Sequence, residues 1–371
     1  MSSPSTAKLR PYDDPRVSLR SIYLNGRSYG YIYHPRHPNT PNRGTIVLIH
    51  GFPDLAFGWR YQIPFLASLG LDVIAPDCIG YGRTDSPEHG LGDFTFKRIA
   101  DDVAALSAQL NLGRILLGGH DWGGAVVYRI ALYHPQLIRA LFVLCTAYTP
   151  PQPVYVPLYQ LVATRLPEFG YQVVLASGAV ETNCSTPATI RQFLAGTFGA
   201  RNAAGEHAFT PTAGPDFVKQ ASITGPPSRI FSPEEFEFYV KEYSRNGLRG
   251  PLNWYRTREN NFVDEYLHFF DTDRSATGGT NPKPKVSVSI QQETLYIGAT
   301  KDWVLKPWMA AKMGKFVPRL TRAEVEASHW AAWERADEVN AIIADWLTKK
   351  VFINEDDEKN NEAASKAKAR L

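Results

Sequence analysis

Gly119-His-Asp-Trp-Gly-Gly124 decides the fold of this chain, because it sets an acidic residue at the centre of a glycine-flanked turn. The spacing Gly-x-Asp-x-Gly is typical of a sharp turn between a strand and a helix, where small residues allow a strained backbone. Such a turn would expose the side chain of Asp121 above a sheet. An ordinary glycine turn with a solvated aspartate is the alternative for so short a motif.

The flanking residues have the pattern that the first interpretation requires. Residues 114–119 form an apolar run typical of a buried strand, and residues 125–133 have the pattern of the helix that follows. Asn25-Gly26 supplies the two positive φ angles of a type I′ turn, so a hairpin is predicted over residues 16–34. An α/β fold with a mostly parallel sheet flanked by helices is therefore expected. Its other predicted strands are at 45–50, 71–76, 137–148, 293–298 and 320–327, and its helices at 94–112 and 338–349.

The sheet pattern is interrupted once, which predicts an inserted cap. Proline-rich and glycine-rich loops, aromatic residues and one clear helix replace it. That helix begins at the capping box Ser232-Pro-Glu-Glu235 and ends at Asn246-Gly247. We expect a loose N-terminus at 1–15, the first part of the core at 16–148, a mainly helical cap at 149–284, the second part of the core at 285–350, and a charged flexible tail at 351–371.

Composition excludes several classes of function. With 371 residues, of which 44% are hydrophobic and 21% charged, the chain is long enough for one α/β domain with an insertion. A formal net charge of +3, with no basic run interleaved with aromatics, argues against nucleic acid as a partner. Cys78, Cys145 and Cys184 have no metal-ligand spacing, so three free thiols are expected. We expect neither a metal nor an organic cofactor, and a monomer or homodimer.

The two ends of the chain bear on its location. The first residues lack the apolar core of a signal peptide, and no apolar run has the length of a bilayer span, so a soluble cytoplasmic protein is expected. Ala369-Arg370-Leu371 is a conservative variant of the Ser-Lys-Leu peroxisomal address. The alternative is that residues 355–371 are a charged tail whose last residues carry no signal.

Two residues late in the chain are candidates for an acid and a base. Asp302 follows the strand that ends at residues 298–300, and His329 follows the strand that ends at residues 326–328. This order, nucleophile then acid then histidine, is that of a catalytic triad on an α/β sheet. A helix-capping aspartate and a loop histidine packed on a tryptophan are the alternatives. The strand after the nucleophile helix ends in Cys145-Thr-Ala-Tyr148 without a carboxylate, which favours Asp302 as the acid.

A carboxylate nucleophile restricts the chemistry. It displaces a leaving group at an sp³ carbon and becomes an alkyl ester, so epoxides or alkyl halides are candidate substrates rather than carboxylic esters. His50-Gly-Phe-Pro53 ends a parallel strand at a place suited to an oxyanion-hole donor. The candidate donors are the backbone N–H groups of Phe52 and Trp122, and Pro53 is a candidate cis residue. His50 is expected to be structural.

Over residues 16–349 the chain resembles the α/β-hydrolase-fold epoxide hydrolases of the soluble type. The resemblance lies in His50-Gly-Phe-Pro53, Asp77-Cys-Ile-Gly-Tyr-Gly-Arg-Thr-Asp85, the Asp121 turn, and the Asp302 and His329 loops. It implies the fold and an activity that opens epoxides to diols. The few residues before the hairpin leave no room for the N-terminal phosphatase domain present in some relatives.

Two cap segments sharpen the resemblance. Gly250-Pro-Leu-Asn-Trp-Tyr255-Arg256 is similar to the segment around one of the family's two ring-opening tyrosines, and Glu168-Phe-Gly-Tyr171-Gln172 is a looser match. The resemblance implies that Tyr171 and Tyr255 are the acids. Ring opening does need such a donor, since it leaves an alkoxide that a phenol of pKa about 10 can protonate. The residues alone would leave the choice open among other cap tyrosines, namely Tyr155, Tyr159, Tyr239, Tyr243 and Tyr266.

The predicted reaction has two steps. Asp121 attacks an epoxide carbon while Tyr171 and Tyr255 stabilise the departing oxygen. Water activated by His329, which Asp302 orients, then hydrolyses the ester. The expected substrates are aryl or alkyl epoxides in an apolar pocket, for which the candidate residues are Trp122, Pro53 and Trp330.

Two alternatives remain at this point. A haloalkane or haloacetate dehalogenase has a similar fold, nucleophile and histidine, but its halide leaves without a proton, so paired tyrosines argue against it. A non-catalytic small-molecule binding protein on the same scaffold would not need the nucleophile, acid, base and oxyanion segments together.

Overall fold

The chain enters its main sheet through a β-hairpin, as the sequence predicts. Strand β1 (Ser18–Leu24) pairs antiparallel with β2 (Arg27–His34). Between them Asn25 has a φ of 44° and Gly26 a φ of 92°, the two positive angles expected of this turn. The structure is a computed structural model that describes residues 6–227, 229–271 and 282–353.

Eight strands form one mixed sheet, and two short strands form a separate pair in the cap. The strands after the hairpin are β3 (Thr45–Ile49), β4 (Asp72–Pro76), β5 (Ile115–His120), β6 (Ile138–Leu144), β7 (Phe209–Thr210), β8 (Gly214–Pro215), β9 (Glu293–Ala299) and β10 (Leu320–Val325). The order in the sheet is β1-β2-β4-β3-β5-β6-β9-β10. Within this eight-stranded sheet, β4-β3, β3-β5, β5-β6, β6-β9 and β9-β10 are parallel pairs, while β2 pairs antiparallel with β1 and β4. The mostly parallel sheet that the sequence predicts is confirmed.

Helices flank this sheet, as the alternating sequence pattern predicts. Every residue of β3 and β5 is buried, which is expected of central parallel strands covered on both faces. The core helices are α1 (Gln62–Ser68), α2 (Phe96–Gln109), α3 (Trp122–Tyr133), α12 (Ala331–Glu334) and α13 (Ala336–Trp346), and the cap helices are α4 (Leu158–Thr164), α5 (Gly170–Ala176), α6 (Ala179–Asn183), α7 (Pro187–Thr197), α8 (Phe217–Gln220), α9 (Pro233–Asn246), α10 (Arg249–Asn253) and α11 (Arg258–Phe269). Short 3₁₀ segments are Ala56–Trp59, Gly92–Phe94, Pro167–Phe169 and Pro307–Lys315, and a π-helical turn is Leu347–Phe352.

The cap is mainly helical, as the sequence predicts, although only one of its helices is clear from the sequence. Helix α9 has the predicted capping box, in which Ser232 and Glu235 bond each other's backbone N–H groups. The other cap helices are mostly one or two turns long, and the strand that precedes the cap ends at Leu144 because Cys145 adopts a φ of 67°. Over its described residues, no helix of the protein is long and apolar enough to span a membrane.

Some described residues of the two segments that the sequence predicts to be loose are packed on the core. Leu9 is buried, and its N–H donates to the carbonyl oxygen of Arg60 at 2.9 Å, so part of the predicted loose N-terminus packs on the core. At the other end Val351 and Phe352 are buried, and the Arg43 guanidinium lies 4.9 Å from the Phe352 ring centre. The rest of the predicted tail, 354–371, lies outside the described residues.

Candidate active site

Asp121 lies at the turn between β5 and α3, with φ 54° and ψ −123°. A Cβ atom at Gly119 would be 2.6 Å from the carbonyl oxygen of Gly123, and one at Gly123 would be 2.0 Å from that of Ile49. Both distances are far shorter than van der Waals contact. Glycine is therefore required on both sides of the turn, as its sequence suggests, and this close packing fixes Asp121 at the carboxyl end of β5.

Two backbone donors bind the Asp121 carboxylate. The N–H of Phe52 donates to Oδ1 at 2.9 Å, and the N–H of Trp122 also hydrogen bonds the carboxylate. The Phe52–Pro53 peptide bond is cis, as predicted. Burial raises the pKa of Asp121 and outweighs the opposing charge of His329 and the two N–H donors. These donors face the oxygen that would carry negative charge if water attacked an ester of Asp121.

His329 lies between two carboxylates. Its Nδ1 is 2.7 Å from Oδ2 of Asp302, and its Nε2 is 3.5 Å from Oδ2 of Asp121. The other oxygen of Asp302 accepts the N–H groups of Val304 and Leu305 at 2.8 and 2.9 Å. These bonds lock the Asp302 carboxylate, which in turn orients the imidazole so that Nε2 faces Asp121.

The charges of this triad follow from its geometry. Burial lowers the pKa of His329, but the Asp302 carboxylate with its hydrogen bond, and then Asp121, raise it to about 9. Burial raises the pKa of Asp302, but the His329 charge and the hydrogen bonds from His329, Leu305 and Val304 lower it to about 2. At neutral pH the imidazole is therefore protonated beside an ionised Asp302.

The two cap tyrosines lie side by side in the cavity that contains Asp121. The ring centres of Tyr171, from α5, and Tyr255, just after α10, are 6.0 Å apart with the rings at 76°, and the two side chains share a hydrogen bond. The Tyr255 ring stands edge-on to Trp122 and to Phe52, with centres 5.3 and 5.2 Å apart. Burial raises the pKa of both phenols well above the ordinary value of 10, so both keep their protons at neutral pH.

One cavity of about 1070 Å³ joins these groups. Pro53 and Trp330, two of the three predicted pocket residues, line it, whereas Trp122 is not among its lining residues. The Trp122 indole packs instead between Phe96, with ring centres 5.9 Å apart, and Tyr255. The site residues that line the cavity are Phe52, Asp121, Tyr171, Tyr255, Asp302 and His329.

Two further histidines lie near the triad. The N–H of Cys78 donates to Nε2 of His50 at 2.9 Å, so the proton is on Nδ1, which donates to the Gly51 carbonyl at 2.8 Å. Burial lowers the pKa of His50 to about 4, so its imidazole is neutral. Both ring nitrogens are hydrogen bonded to backbone groups, which is the structural role expected of this residue. Nε2 of His120 is 2.8 Å from the carbonyl oxygen of His329. Through this contact His120 holds the backbone of His329, and no sequence pattern reveals this contact.

Other contacts of the site also have no sequence signal of their own. The hydroxyl of Thr146 donates to the backbone carbonyl of Asp121 at 2.6 Å, and Nε2 of Gln172 donates to the hydroxyl of Tyr171 at 3.3 Å. The buried Asp54 carboxyl accepts the Tyr239 hydroxyl at 2.6 Å. Thr146 and Asp121, and likewise Tyr239 and Asp54, are far apart in the sequence, so only the folded chain identifies these pairs. Gln172 is the sequence neighbour of Tyr171, but no local pattern predicts their hydrogen bond.

A cluster of metal-ligand atoms occurs among the described residues. Atoms of His120, Cys145 and His329 lie within 4.8 Å of one another. The His120 ring already hydrogen bonds the backbone carbonyl of His329, and the His329 ring already hydrogen bonds Asp302. Burial raises the pKa of the Cys145 thiol well above its ordinary value. A thiol that keeps its proton is a poor metal ligand, so this donor set does not favour an ion.

Sheet order, nucleophile turn and cap together define an α/β hydrolase with a carboxylate at the nucleophile position. Residues 44–336 match the protein family described as alpha/beta hydrolase fold. The chain is 37% identical over 351 residues to Epoxide hydrolase srdG of Neurospora crassa, which covers 91% of this chain and 97% of that protein. The chain therefore belongs to the epoxide hydrolase family of the α/β-hydrolase fold.

Other relatives agree with this assignment. Bifunctional epoxide hydrolase 2 of Mus musculus is 32% identical over 82% of this chain and 52% of its own length, so the chain spans about half of that relative. Among solved structures, Epoxide Hydrolase A from Mycobacterium thermoresistibile has a TM-score of 0.71 at 25% identity, over 90% of this chain and 98% of that chain. Epoxide hydrolase I of potato (Solanum tuberosum) has a TM-score of 0.70 at 23% identity, over 90% and 99%, which supports the fold.

Proposed function

We propose that this protein hydrolyses epoxides to vicinal diols through a covalent ester on Asp121. The observation that carries the proposal is that one cavity joins a buried carboxylate, a histidine–aspartate pair and two protonated phenols. A carboxylate can open an epoxide only if the departing oxygen receives a proton or strong hydrogen bonds, and the phenols supply both.

In the first step, an Asp121 oxygen attacks one epoxide carbon, a carbon–oxygen bond of the ring breaks, and the oxygen takes a proton from Tyr171 or Tyr255. The resulting tyrosinate lies in a buried site that raises phenol pKa values, so it is a strong base. It regains its proton from the His329 imidazolium. The histidine is then neutral, which the second step requires.

In the second step, Nε2 of His329 takes a proton from water, and the hydroxide attacks the carbonyl carbon of the Asp121 ester. The N–H groups of Phe52 and Trp122 stabilise the oxyanion. Collapse releases the diol, whose departing oxygen takes the proton from His329, and the new Asp121 carboxylic acid then protonates His329 again. The triad returns to its starting charges, and the sum is epoxide plus water to diol.

The test compares diol formation from styrene oxide by the wild type, Asp121→Ala and His329→Gln. We expect diol from the wild type only, and a mass increase of one substrate molecule on the His329→Gln protein, since its ester forms but is not hydrolysed. Full activity of Asp121→Ala would refute the assignment of Asp121 as the nucleophile.

Tyr171→Phe and Tyr255→Phe should each slow ester formation. The double variant should abolish ester formation, while its thermal melting temperature stays near that of the wild type.

The substrate class and the competing reaction follow from the same cavity. We propose aryl or alkyl epoxides as substrates, because aromatic side chains surround Asp121. A dehalogenase would need a donor for a halide, and the Trp122 indole, the candidate for that role, is not among the residues that line the cavity. Release of chloride from 1-chlorobutane at a rate comparable to diol formation would favour the dehalogenase instead.

For location, we propose a cytoplasmic protein with a candidate peroxisomal address. Ala369-Arg370-Leu371 lies outside the described residues, and its support is the likeness to the Ser-Lys-Leu signal. Fluorescent fusions that keep or lack these three residues test the address. Punctate fluorescence that depends on them would support it, and the same diffuse pattern from both would refute it.

A further inference from the structure

The two phenols of the proposed reaction come from separate short segments of the cap. Tyr171 is the second residue of α5, and Tyr255 follows α10 by two residues. Helix α5 has only seven residues, which is too short to be stable by itself, so contacts from elsewhere must hold it in place. The 6.0 Å between the two ring centres therefore depends on how these two segments are joined.

The segment of Tyr255 is bound to the core through its neighbour in the sequence. The indole N–H of the buried Trp254 donates to the carbonyl oxygen of Ile79 at 3.1 Å, in the loop that follows β4. On the other side of Tyr255, the hydroxyl of Thr257 donates to the carbonyl oxygen of Trp254 at 3.0 Å. Both bonds act on the backbone around Tyr255, so the core sets the position of this tyrosine.

Arg256, the next residue, joins this segment to α5. Its Nε donates to the carbonyl oxygen of Ala176, the last residue of α5, at 3.0 Å. The last carbonyl groups of a helix have no partner within the helix, and a positive charge is favourable at that end. The Arg256 side chain is only 19% exposed, so water competes little for this bond. Arg256 therefore connects the residue after Tyr255 to the end of the helix that carries Tyr171.

Two further hydrogen bonds fix the direction of the guanidinium group. Nη1 of Arg256 donates to Oδ1 of the buried Asn253 at 2.9 Å. Nη2 donates to Oε1 of Glu181, from α6, at 2.6 Å. Each nitrogen of the planar group thus has its own acceptor, a geometry that the single ammonium group of a lysine cannot reproduce. The guanidinium is held rigidly between the two tyrosine segments.

We propose that Arg256 is a positioning residue for ring opening. It sets the distance between Tyr171 and Tyr255 and thereby aligns both phenols on the departing epoxide oxygen. Arg256 is not among the described residues that line the cavity, so it acts through the tyrosines and not on the substrate. This inference rests on the proposed function for what the tyrosines do, but not for how their two segments are held together.

The experiment measures the rate of ester formation by itself. In the His329→Gln background, where the ester accumulates if the proposed function holds, the mass increase of the protein is followed in time at saturating styrene oxide. Arg256→Gln should lower the first-order rate constant about tenfold, since a misplacement of about 1 Å can cost about 100-fold. Partial unfolding would lower the final amount of ester but not this rate constant, which separates positioning from a purely structural role. An unchanged rate constant would overturn the proposal.

Two further variants and a control assign the effect to the bonds of Arg256. Arg256→Lys keeps the positive charge at the end of α5 but not the planar fork, so it should recover part of the rate. Glu181→Gln keeps an acceptor for Nη2 and should slow ester formation less than Arg256→Gln does. The matched control is Arg258→Gln, since Arg258 is also partly buried but donates to the carbonyl oxygen of Val156 at 2.8 Å. If Arg258→Gln and Arg256→Gln slow ester formation equally, the contact with α5 is not the cause and the proposal is wrong.

Hydrogen exchange separates this proposal from the proposed function. Amide hydrogens in the last turn of α5 should exchange faster in Arg256→Gln than in the wild type or in Arg258→Gln, whether or not epoxides are hydrolysed. If the wild type forms no ester, the proposed function fails, and faster exchange in Arg256→Gln alone still supports Arg256 as the residue that holds the helix of Tyr171. If the ester forms but neither its rate nor the exchange changes in Arg256→Gln, the positioning role fails and the proposed function stands.

Discussion

At the scale of single residues, the proposed mechanism places opposite requirements on His329 in its two steps. In the free protein two carboxylates hold its imidazole protonated, with a pKa of about 9. As the proposed general base, this imidazole must be neutral. Formation of the ester removes the negative charge of Asp121, which is one of the groups that raise this pKa. In the proposed reaction, ester formation on Asp121 therefore lowers the pKa of His329. The imidazole becomes easier to deprotonate at the point where it must act as a base.

This coupling predicts the effect of neutralising each carboxylate. Asp121→Asn mimics the uncharged ester, so the pKa of His329 should fall below about 9, and Asp302→Asn should lower it further because Asp302 has the larger influence. Titration of the His329 ring by NMR measures both shifts. The buried His50, with a pKa of about 4, serves as the internal control and should not move. An unchanged or raised pKa in Asp121→Asn would contradict the coupling.

The sequence carries the triad but not its surroundings. Asp121, Asp302 and His329 each follow a strand, and the carboxyl ends of parallel strands meet at one edge of the sheet, so their proximity can be predicted. The contacts of Thr146 and His120 depend on how loops pack, which no local pattern reveals. Tyr171 and Tyr255 could be selected among the cap tyrosines only through a family resemblance.

At the scale of elements, the turn between β5 and α3 depends on two close backbone contacts. Gly123→Ala would put a methyl group 2.0 Å from the Ile49 carbonyl oxygen, which belongs to the neighbouring strand β3. Backbone cannot yield easily there, so we expect a loss of stability of about 1–3 kcal/mol or more and a loss of activity. Chemical denaturation and diol formation measure the two effects.

The matched control for this change is Gly92→Ala. A Cβ at Gly92 would meet no atom within 4 Å, and Gly92 is not one of the described glycines with a positive φ. The stability of Gly92→Ala should therefore stay near the wild-type value. Equal stability of the Gly92 and Gly123 variants would show that the tight turn does not need its glycine.

Long elements could be predicted better than short ones. Helix α2 has a regular apolar face and α9 has a capping box, and the sequence predicts the bounds of both to within two or three residues. Most other cap helices have four to seven residues, too few for a periodic pattern, and tertiary packing stabilises them instead of local sequence. The prediction of a loose segment at 1–15 is wrong at Leu9 for a similar reason, because the partner of Leu9 is distant in the chain.

At the scale of the whole molecule, one buried ion pair joins the cap to the core. Arg60, which has no exposed surface, donates from Nε to Oε1 of Glu235 at the start of α9 at 3.0 Å, and from Nη2 to the Ile230 carbonyl. Lys8 of the N-terminal segment also reaches Oε1 of Glu235, at 2.9 Å. Three parts of the chain therefore meet at Glu235, and the cap that carries both tyrosines is held by it.

Loss of this carboxylate should loosen the cap as well as destabilise the fold. Glu235→Gln leaves the Arg60 charge buried without a counter-charge, and we expect a loss of about 3 kcal/mol by denaturant unfolding. The control is Glu237→Gln in the same helix, whose half-exposed pair with Arg191 should contribute less than about 1 kcal/mol. Burial raises the pKa of Glu235, but Arg60 and the other partners lower it overall below 4.5, so its contribution is present above pH 4.5 and is lost as the pH falls through the lower folded value. If Glu235→Gln and Glu237→Gln unfold at the same denaturant concentration at neutral pH, the buried pair does not hold the cap.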